Sequence, residues 1–209
     1  LYQWLGLTPP AFAHMPLLRN PDRSKISKRK NPAARLTWFQ EEGYLPEALV
    51  NFLALLAYPP AQDDEGKDIE VFGLAEFAAR FDWSKVIPVG PIFDLAKLDW
   101  LNGVYIRSLS VPELADRLRP FLVADGLDMS DQARLEGFTE LIQPRLVHLT
   151  DAADQLCPFY TASADLVVDD DARASLNEDT PAVLTAAIAA LEELPDWEKT
   201  EIETALRAA

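Results

Sequence analysis

The sequence is 209 residues long, 49% hydrophobic and 25% charged, with 34 acidic against 19 basic side chains and a formal charge of −15. Single domains run to roughly 100–200 residues and an apolar content this high supports a core, so the chain reads as one or two globular domains and not as a disordered one. One cysteine, Cys157, and two histidines, His14 and His148, exclude a disulfide framework, a CxxC redox pair and a Cys-rich zinc site.

Histidine metal sites are equally poorly supplied, so no protein-bound metal is expected, and His14 and Cys157 are left structural. No run approaches the roughly 18–20 apolar residues of a membrane span, which points to a cytoplasmic protein without a membrane partner. In chain order, the opening LYQWLGL is aromatic, helix-like and without an initiator Met. It reads as the interior of a longer protein.

The next segment reverses the sign of the charge. Between Leu17 and Arg35, seven cations (Arg19, Arg23, Lys25, Lys28, Arg29, Lys30 and Arg35) face Asp22 alone, while residues 151–209 hold 3 basic and 14 acidic side chains. A non-specific nucleic-acid binder needs a broad basic surface. One cationic segment on an acidic body instead suits a single polyanionic ligand. Asn20, Pro21 and Asp22 on one side and Asn31 and Pro32 on the other are turn formers, so the cations belong to a mobile loop that can wrap a triphosphate, with Ser24 and Ser27 as donors. A run such as KRK also occurs as plain solvated surface.

Beyond the loop the periodicity is helical. Trp38 and Phe39 lead to a turn at Gly43, and Leu45, Leu49, Phe52, Leu53 and Leu56 recur at three- and four-residue spacing, with Pro46 suited to a first helical turn. Residues 59–68 read as an exposed loop, residues 69–72 as a short extended segment, and residues 74–81 as a short helix. Phe93, Leu95, Leu98, Leu101 and Ile106 predict an amphipathic helix or helix pair. Ser110 and Glu113 have the spacing of a capping box and mark a domain boundary. Pro120 is expected to kink or end the helix that follows, and Pro144 to interrupt the one after Ser130. Asp169, Asp170 and Asp171 read as an acidic turn, Thr180 and Pro181 as the cap of one helix, and Asp196 as the cap of the last. The chain is therefore mainly α, a helical bundle or cage.

Lys25, Ile26, Ser27, Lys28 and Arg29 resemble the KMSKS motif of class I aminoacyl-tRNA synthetases in its KISKR form. Three longer stretches, AHMPLLRNPDRSKISKRK, WFQEEGYLPEALVNFLALLA and GPIFDLAKLDWLNGVYIR, follow the order found in bacterial glutamyl-tRNA synthetases. The resemblance implies that residues 1–27 are a remnant of the class I Rossmann catalytic domain and residues 28–109 the stem-contact region. It implies a first anticodon-binding helical subdomain over 110–164 and part of a second over 165–209. The His-x-Gly-His motif, the acceptor-binding insert and the C-terminal end of the anticodon region are absent, so the isolated chain is expected to be inactive.

The resemblance further implies ATP, with Mg2+, L-glutamate and tRNA(Glu) as substrates and partners of a monomeric ligase. Lys28 and Lys25 would place cations on the charge that grows on the α-phosphate and pyrophosphate. Ile26, Ser27 and Arg29 would complete the ATP loop. Arg145 falls where discriminating members read the third anticodon base, against the alternative of an ordinary surface arginine. Lys97 and Trp100 are candidates for the inner side of the tRNA, against the alternative of core packing. A non-catalytic tRNA- or RNA-binding protein on the same scaffold is the second reading, and an acidic helical scaffold with a surface basic loop the third. The acidity of residues 151–209 opposes phosphate, so the expectation is either an RNA-facing side that is locally less acidic or base contacts supplied by the missing C-terminus.

Overall fold

The computed structural model describes residues 1–27, 31–161 and 167–209. The chain divides into two compact units, Leu1–Tyr160 and Thr161–Ala209. In the first, a 3-10 turn (Pro32–Ala34) precedes α1 (Leu36–Glu41) and α2 (Pro46–Ala57), then β1 (Ala61–Gln62), β2 (Asp68–Ile69), α3 (Leu74–Arg80) and a second 3-10 turn (Trp83–Lys85). The long helices α4 (Leu95–Ser108), α5 (Val111–Ala124) and α6 (Gln132–Ile142) follow, with a third 3-10 turn (Gln143–Arg145) before α7 (Asp151–Tyr160).

Local chemistry sets these boundaries. Pro46 opens α2 and Glu47 sits in its first turn, where the helix dipole favours an anion. Asp94 caps α4 by accepting the Ala96 and Lys97 N–H groups at 3.0 and 3.4 Å. Glu113 reaches back to the Ser110 N–H at 3.2 Å and accepts its hydroxyl at 2.7 Å, as the spacing predicts. These bonds hold the Glu113 carboxyl below its ordinary range.

Two apolar clusters form the interior. Ala33, Phe39, Tyr44, Leu49, Phe52, Phe93, Leu98 and Leu101 make one, and α2, α4, α5, α6 and α7 close around Ile106, Leu114, Leu118, Leu122, Leu135, Leu146 and Leu156 in the other. Each fully buried leucine contributes roughly 2 kcal/mol by leaving water. Helices α2 and α4 supply side chains to both clusters, which joins them into one body. A smaller stack lies beside α3, where the Arg80 guanidinium rests 4.6 Å from the Phe72 ring centroid and 5.4 Å from that of Phe77.

The second unit contains α8 (Asp170–Ala174), α9 (Thr180–Glu192) and α10 (Lys199–Ala208). Helices α9 and α10 pack on each other, and no described residue of this unit is fully buried. Alanine, the best helix former, fills much of α9. Among the described residues no helix is long and apolar enough to cross a membrane.

Several local expectations change. The segment 59–68 is not a plain loop, because Ala61 and Gln62 pair antiparallel with Ile69 and Asp68 around a turn in which Asp63 accepts the Glu65 and Lys67 N–H groups. The extended stretch accordingly begins at Asp68, and of residues 69–72 it includes Ile69 alone as strand. Pro120 does not end α5, which runs on to Ala124. Its missing donor frees the carbonyl of Asp116, a residue on the exposed face of the helix. The acidic turn is helical: Asp169 accepts the Ala172 N–H at 2.6 Å and caps α8. Thr180 is the first residue of α9, its N–H accepted by Asn177. The last helix starts at Lys199 after Glu198, so Asp196 is not its cap.

Candidate functional site

The first part of the cationic segment, residues 19–27, is non-helical and stitched at its base. Arg23 adopts a left-handed φ of +64°, the Asn20 N–H donates to the Ser24 carbonyl at 2.9 Å, and the Ser24 N–H donates to Asp22 Oδ1 at 2.8 Å. The Ser24 hydrogen bonds lower the Asp22 pKa, which keeps it charged among the cations. Arg19 bridges to Lys25 on one side and to Ile92 on the other, its N–H donating to the Pro91 carbonyl at 2.9 Å while its carbonyl accepts the Phe93 N–H at 2.8 Å. Gly90 is required there, because a Cβ would lie 2.7 Å from Arg19 Nε and 2.8 Å from the Leu17 carbonyl.

Lys25 is exposed and makes no ion pair among the described residues. Ile26 and Ser27 are half-buried, Ile26 packing on the first apolar cluster beside a cleft of about 370 Å³ that Lys25, Leu18 and Phe93 also line. Lys28 and Arg29 lie outside the described residues.

Lys97 and Trp100 stand one turn apart on α4. Trp100 is 45% exposed and its ring centroid lies 4.2 Å from Lys97 Nζ, so this aromatic is a surface plate and not core. Lys97 is also ion-paired to Glu70, which means that a phosphate reaching it competes with a carboxylate already in place. Arg145 ends the third 3-10 turn, exposed and with no ion pair among the described residues.

Further polar residues join these parts. Asn102 is fully buried on α4; its Oδ1 accepts the Leu45 N–H at 2.8 Å and its Nδ2 donates to the Val147 carbonyl at 2.6 Å. The Tyr44 hydroxyl donates to Asp99 Oδ1 at 2.5 Å, and His148 Nε2 lies 3.2 Å from the same oxygen. Burial first, then the Asp99 carboxylate, pushes the Tyr44 phenol well above its ordinary range. Gly43, at φ +80°, lets the chain approach so closely that a Cβ would meet the Leu149 and Thr150 amide nitrogens at 2.8 Å. The Leu149 N–H then donates to the Gly43 carbonyl at 3.0 Å. Asn102 had a sequence signal, a polar residue on the apolar stripe of Leu98, Leu101 and Ile106. The Tyr44, Asp99 and His148 contacts had none.

All three candidate contact points are thus tied to α4: the cationic loop through residues 91–93 at its start, Lys97 and Trp100 on its surface, and Arg145 through the segment that Asn102 and Asp99 hold. Among the described residues no group of three His, Cys, Asp or Glu side chains is placed to hold a metal ion.

Comparison with known proteins supplies a context for this arrangement. Residues 1–100 match the family model of tRNA synthetases class I (E and Q), catalytic domain, and residues 113–209 match that of an anticodon binding domain. The glutamate--tRNA ligase of Acidothermus cellulolyticus is 53% identical over 215 residues, covering 100% of this chain and 42% of the relative. That of Thermus thermophilus is 40% identical over 208 residues, covering 99% of this chain and 42% of the relative. A solved glutamate tRNA ligase from Elizabethkingia meningosepticum superposes with a TM-score of 0.77 at 23% identity, covering 99% of this chain and 43% of that one. The glutamate-tRNA synthetase of Elizabethkingia anophelis gives 0.72 at 25% identity, with the same coverage. The chain therefore spans about 42% of the length of the curated relatives it matches.

Proposed function

Because this chain belongs to the class I glutamyl-tRNA synthetases, we propose that it supplies the ATP-phosphate loop and the tRNA-contacting helices of a cytoplasmic, monomeric glutamate--tRNA ligase. Glutamate carboxylate attacks the α-phosphate of ATP, pyrophosphate leaves, and the glutamyl group then passes from the mixed anhydride to the terminal ribose of tRNA(Glu). Residues 1–27 belong to the catalytic domain, 28–109 to the stem-contact region, 110–164 to the first anticodon subdomain and 165–209 to the second.

The observation that carries this reading is the described part of the cationic loop: residues 19–27 are non-helical, held at their base by residues 91–93, and present an exposed Lys25 with no ion pair among the described residues. A lysine is a compact point charge on a flexible stem, suited to phosphate oxygens that accumulate charge as pyrophosphate departs. Lys25 and Lys28 take that role. Ser27 and the loop backbone donate to the phosphates, and Arg29 flanks them. Magnesium, when bound with ATP, offsets the charge of the phosphate oxygens; we assign it no protein ligand. Lys97 and Trp100 meet the inner side of the tRNA, and Arg145 reads the third anticodon base, since splayed single-stranded bases expose their Watson–Crick edges to such a side chain.

The test is a chimera in which this chain replaces the matching segment of the Acidothermus ligase. Its glutamate-dependent ATP–pyrophosphate exchange is measured with tRNA(Glu) present. Lys28→Ala is expected to lower kcat about 100-fold, as loss of one transition-state donor does, and Lys25→Ala somewhat less. An inactive chimera, or unchanged exchange in both variants, would overturn the reading in favour of a non-catalytic RNA-binding role.

A further inference from the structure

The turn that carries Arg145 is fastened to α4 on both sides. Upstream, Gln143 Nε2 donates to the carbonyl of Ile106 at 3.0 Å, which also accepts the Leu109 N–H at 3.2 Å, and to the carbonyl of the C-cap residue Leu109 at 2.9 Å, so it closes over the C-terminal end of α4. Downstream, Asn102 holds the Val147 carbonyl, and His148 Nε2 sits 3.2 Å from Asp99 Oδ1. Asp151, the first residue of α7, closes the segment. Its Oδ2 accepts the Val147 and His148 N–H groups at 3.0 and 2.7 Å, and its Oδ1 lies 3.7 Å from His148 Nδ1. Leu146, directly after Arg145, is fully buried.

Such a turn has little backbone freedom to lose, while Arg145 stays exposed and makes no ion pair among the described residues. Binding costs fall when the presenting segment is already ordered. The fastening partner matters as well. Helix α4 carries Lys97 and Trp100 near its start and the Gln143 acceptors near its end, and a helix holds its residues at a fixed rise of about 1.5 Å each. The spacing between the stem plate and the Arg145 turn is therefore set by one rigid element.

We infer that Gln143 and His148 are positioning residues for anticodon discrimination: through the Ile106 and Leu109 carbonyls and through Asp99, they hold the Arg145 turn on α4 at the register that places its guanidinium on the third anticodon base. This inference rests on the reading of Arg145 proposed above. Neither residue contacts the RNA itself. Its expected signature is a loss of selectivity and not a general loss of affinity, because the phosphate and stem contacts remain.

The experiment measures binding of the 209-residue chain to two RNA stem-loops, one with the anticodon of tRNA(Glu) and one with its third base changed to that of glutamine tRNA. Arg145→Ala is expected to reduce the ratio of the two affinities about tenfold, the size of one lost base contact. Gln143→Met and His148→Ala are each expected to reduce it about threefold, and to have no further effect when combined with Arg145→Ala, the non-additivity of residues acting through one another. The His148 side chain is 24% exposed, so its truncation is the milder change and carries the test where Gln143→Met lowers folding.

If Arg145→Ala leaves the ratio unchanged, the anticodon reading and this inference both fall. If Arg145→Ala reduces it while the other two variants weaken both RNAs equally, or change nothing, Arg145 keeps its role and the positioning inference alone is overturned.

Discussion

The two compact units reach helical structure by different means. In Leu1–Tyr160, helices share two apolar clusters, and buried polar side chains such as Asn102 pin backbone segments that are distant in sequence. In Thr161–Ala209, Val183, Leu184 and Ile188 of α9 are 63%, 55% and 56% exposed. There, alanine content and side-chain caps, as with Asp169 on α8 and Asn177 before α9, shape the helices instead of a core. A substitution should therefore be felt throughout the first unit and only locally in the second.

The largest effect is expected at Gly43→Val. The left-handed φ and the overlap with the Leu149 and Thr150 amides each cost a few kcal/mol, for a total of about 4 kcal/mol, read as a fall in the denaturant midpoint of the first unit. Leu101→Ala comes next. This fully buried side chain on α4 should cost about 3 kcal/mol in the same measurement. An effect below 1 kcal/mol at either position would remove the claim that α4 and the Gly43 turn share one core.

An alkaline titration sharpens the contrast without a core substitution. Burial raises the phenols of Tyr44, Tyr105 and Tyr160, all in the first unit, and for Tyr44 the Asp99 carboxylate adds to it. A group whose folded pKa is raised contributes stability that is present below its unfolded value and lost as pH rises above it. Phenolate absorbance should show a late-ionising set that joins the ordinary range near pH 10 on denaturation, and folding stability should decline above about pH 10. Tyr44→Phe should remove one member of that set. The smallest effect is expected at Ile188→Ser, which should change stability by no more than about 0.5 kcal/mol.

The same contrast explains what was legible in the sequence. Helices α1, α2, α4, α5 and α6 follow from periodicity, the Gly43 turn from its glycine, and the Glu113 contact from its spacing to Ser110. All of these depend on residues within a few positions of each other. Of the two outcomes expected at Pro120, a kink or an end, the end does not occur, because a proline on an exposed helix face leaves its unpaired carbonyl on an exposed residue, Asp116. The triple aspartate misled because Asp169 is as good a cap as a turn former. For the site, the KISKR stretch and the α4 residues were visible as residue types. Their attachment was not: the pairings of Arg19 with Ile92, Tyr44 with Asp99 and Gln143 with Ile106 join residues that no local pattern links.

The central claim is that α4 holds the cationic loop and the Arg145 segment as parts of one body. Native-state hydrogen exchange of the 209-residue chain tests it at four amides: Phe93, which donates to Arg19, Arg19, which donates to Pro91, Leu45, which donates to Asn102, and Leu149, which donates to Gly43. If the claim holds, all four exchange with the same opening free energy as the buried amides of α4, and all four lose protection together in Leu101→Ala. Exchange of Arg19 and Phe93 near the unprotected rate, with α4 still protected, would contradict it.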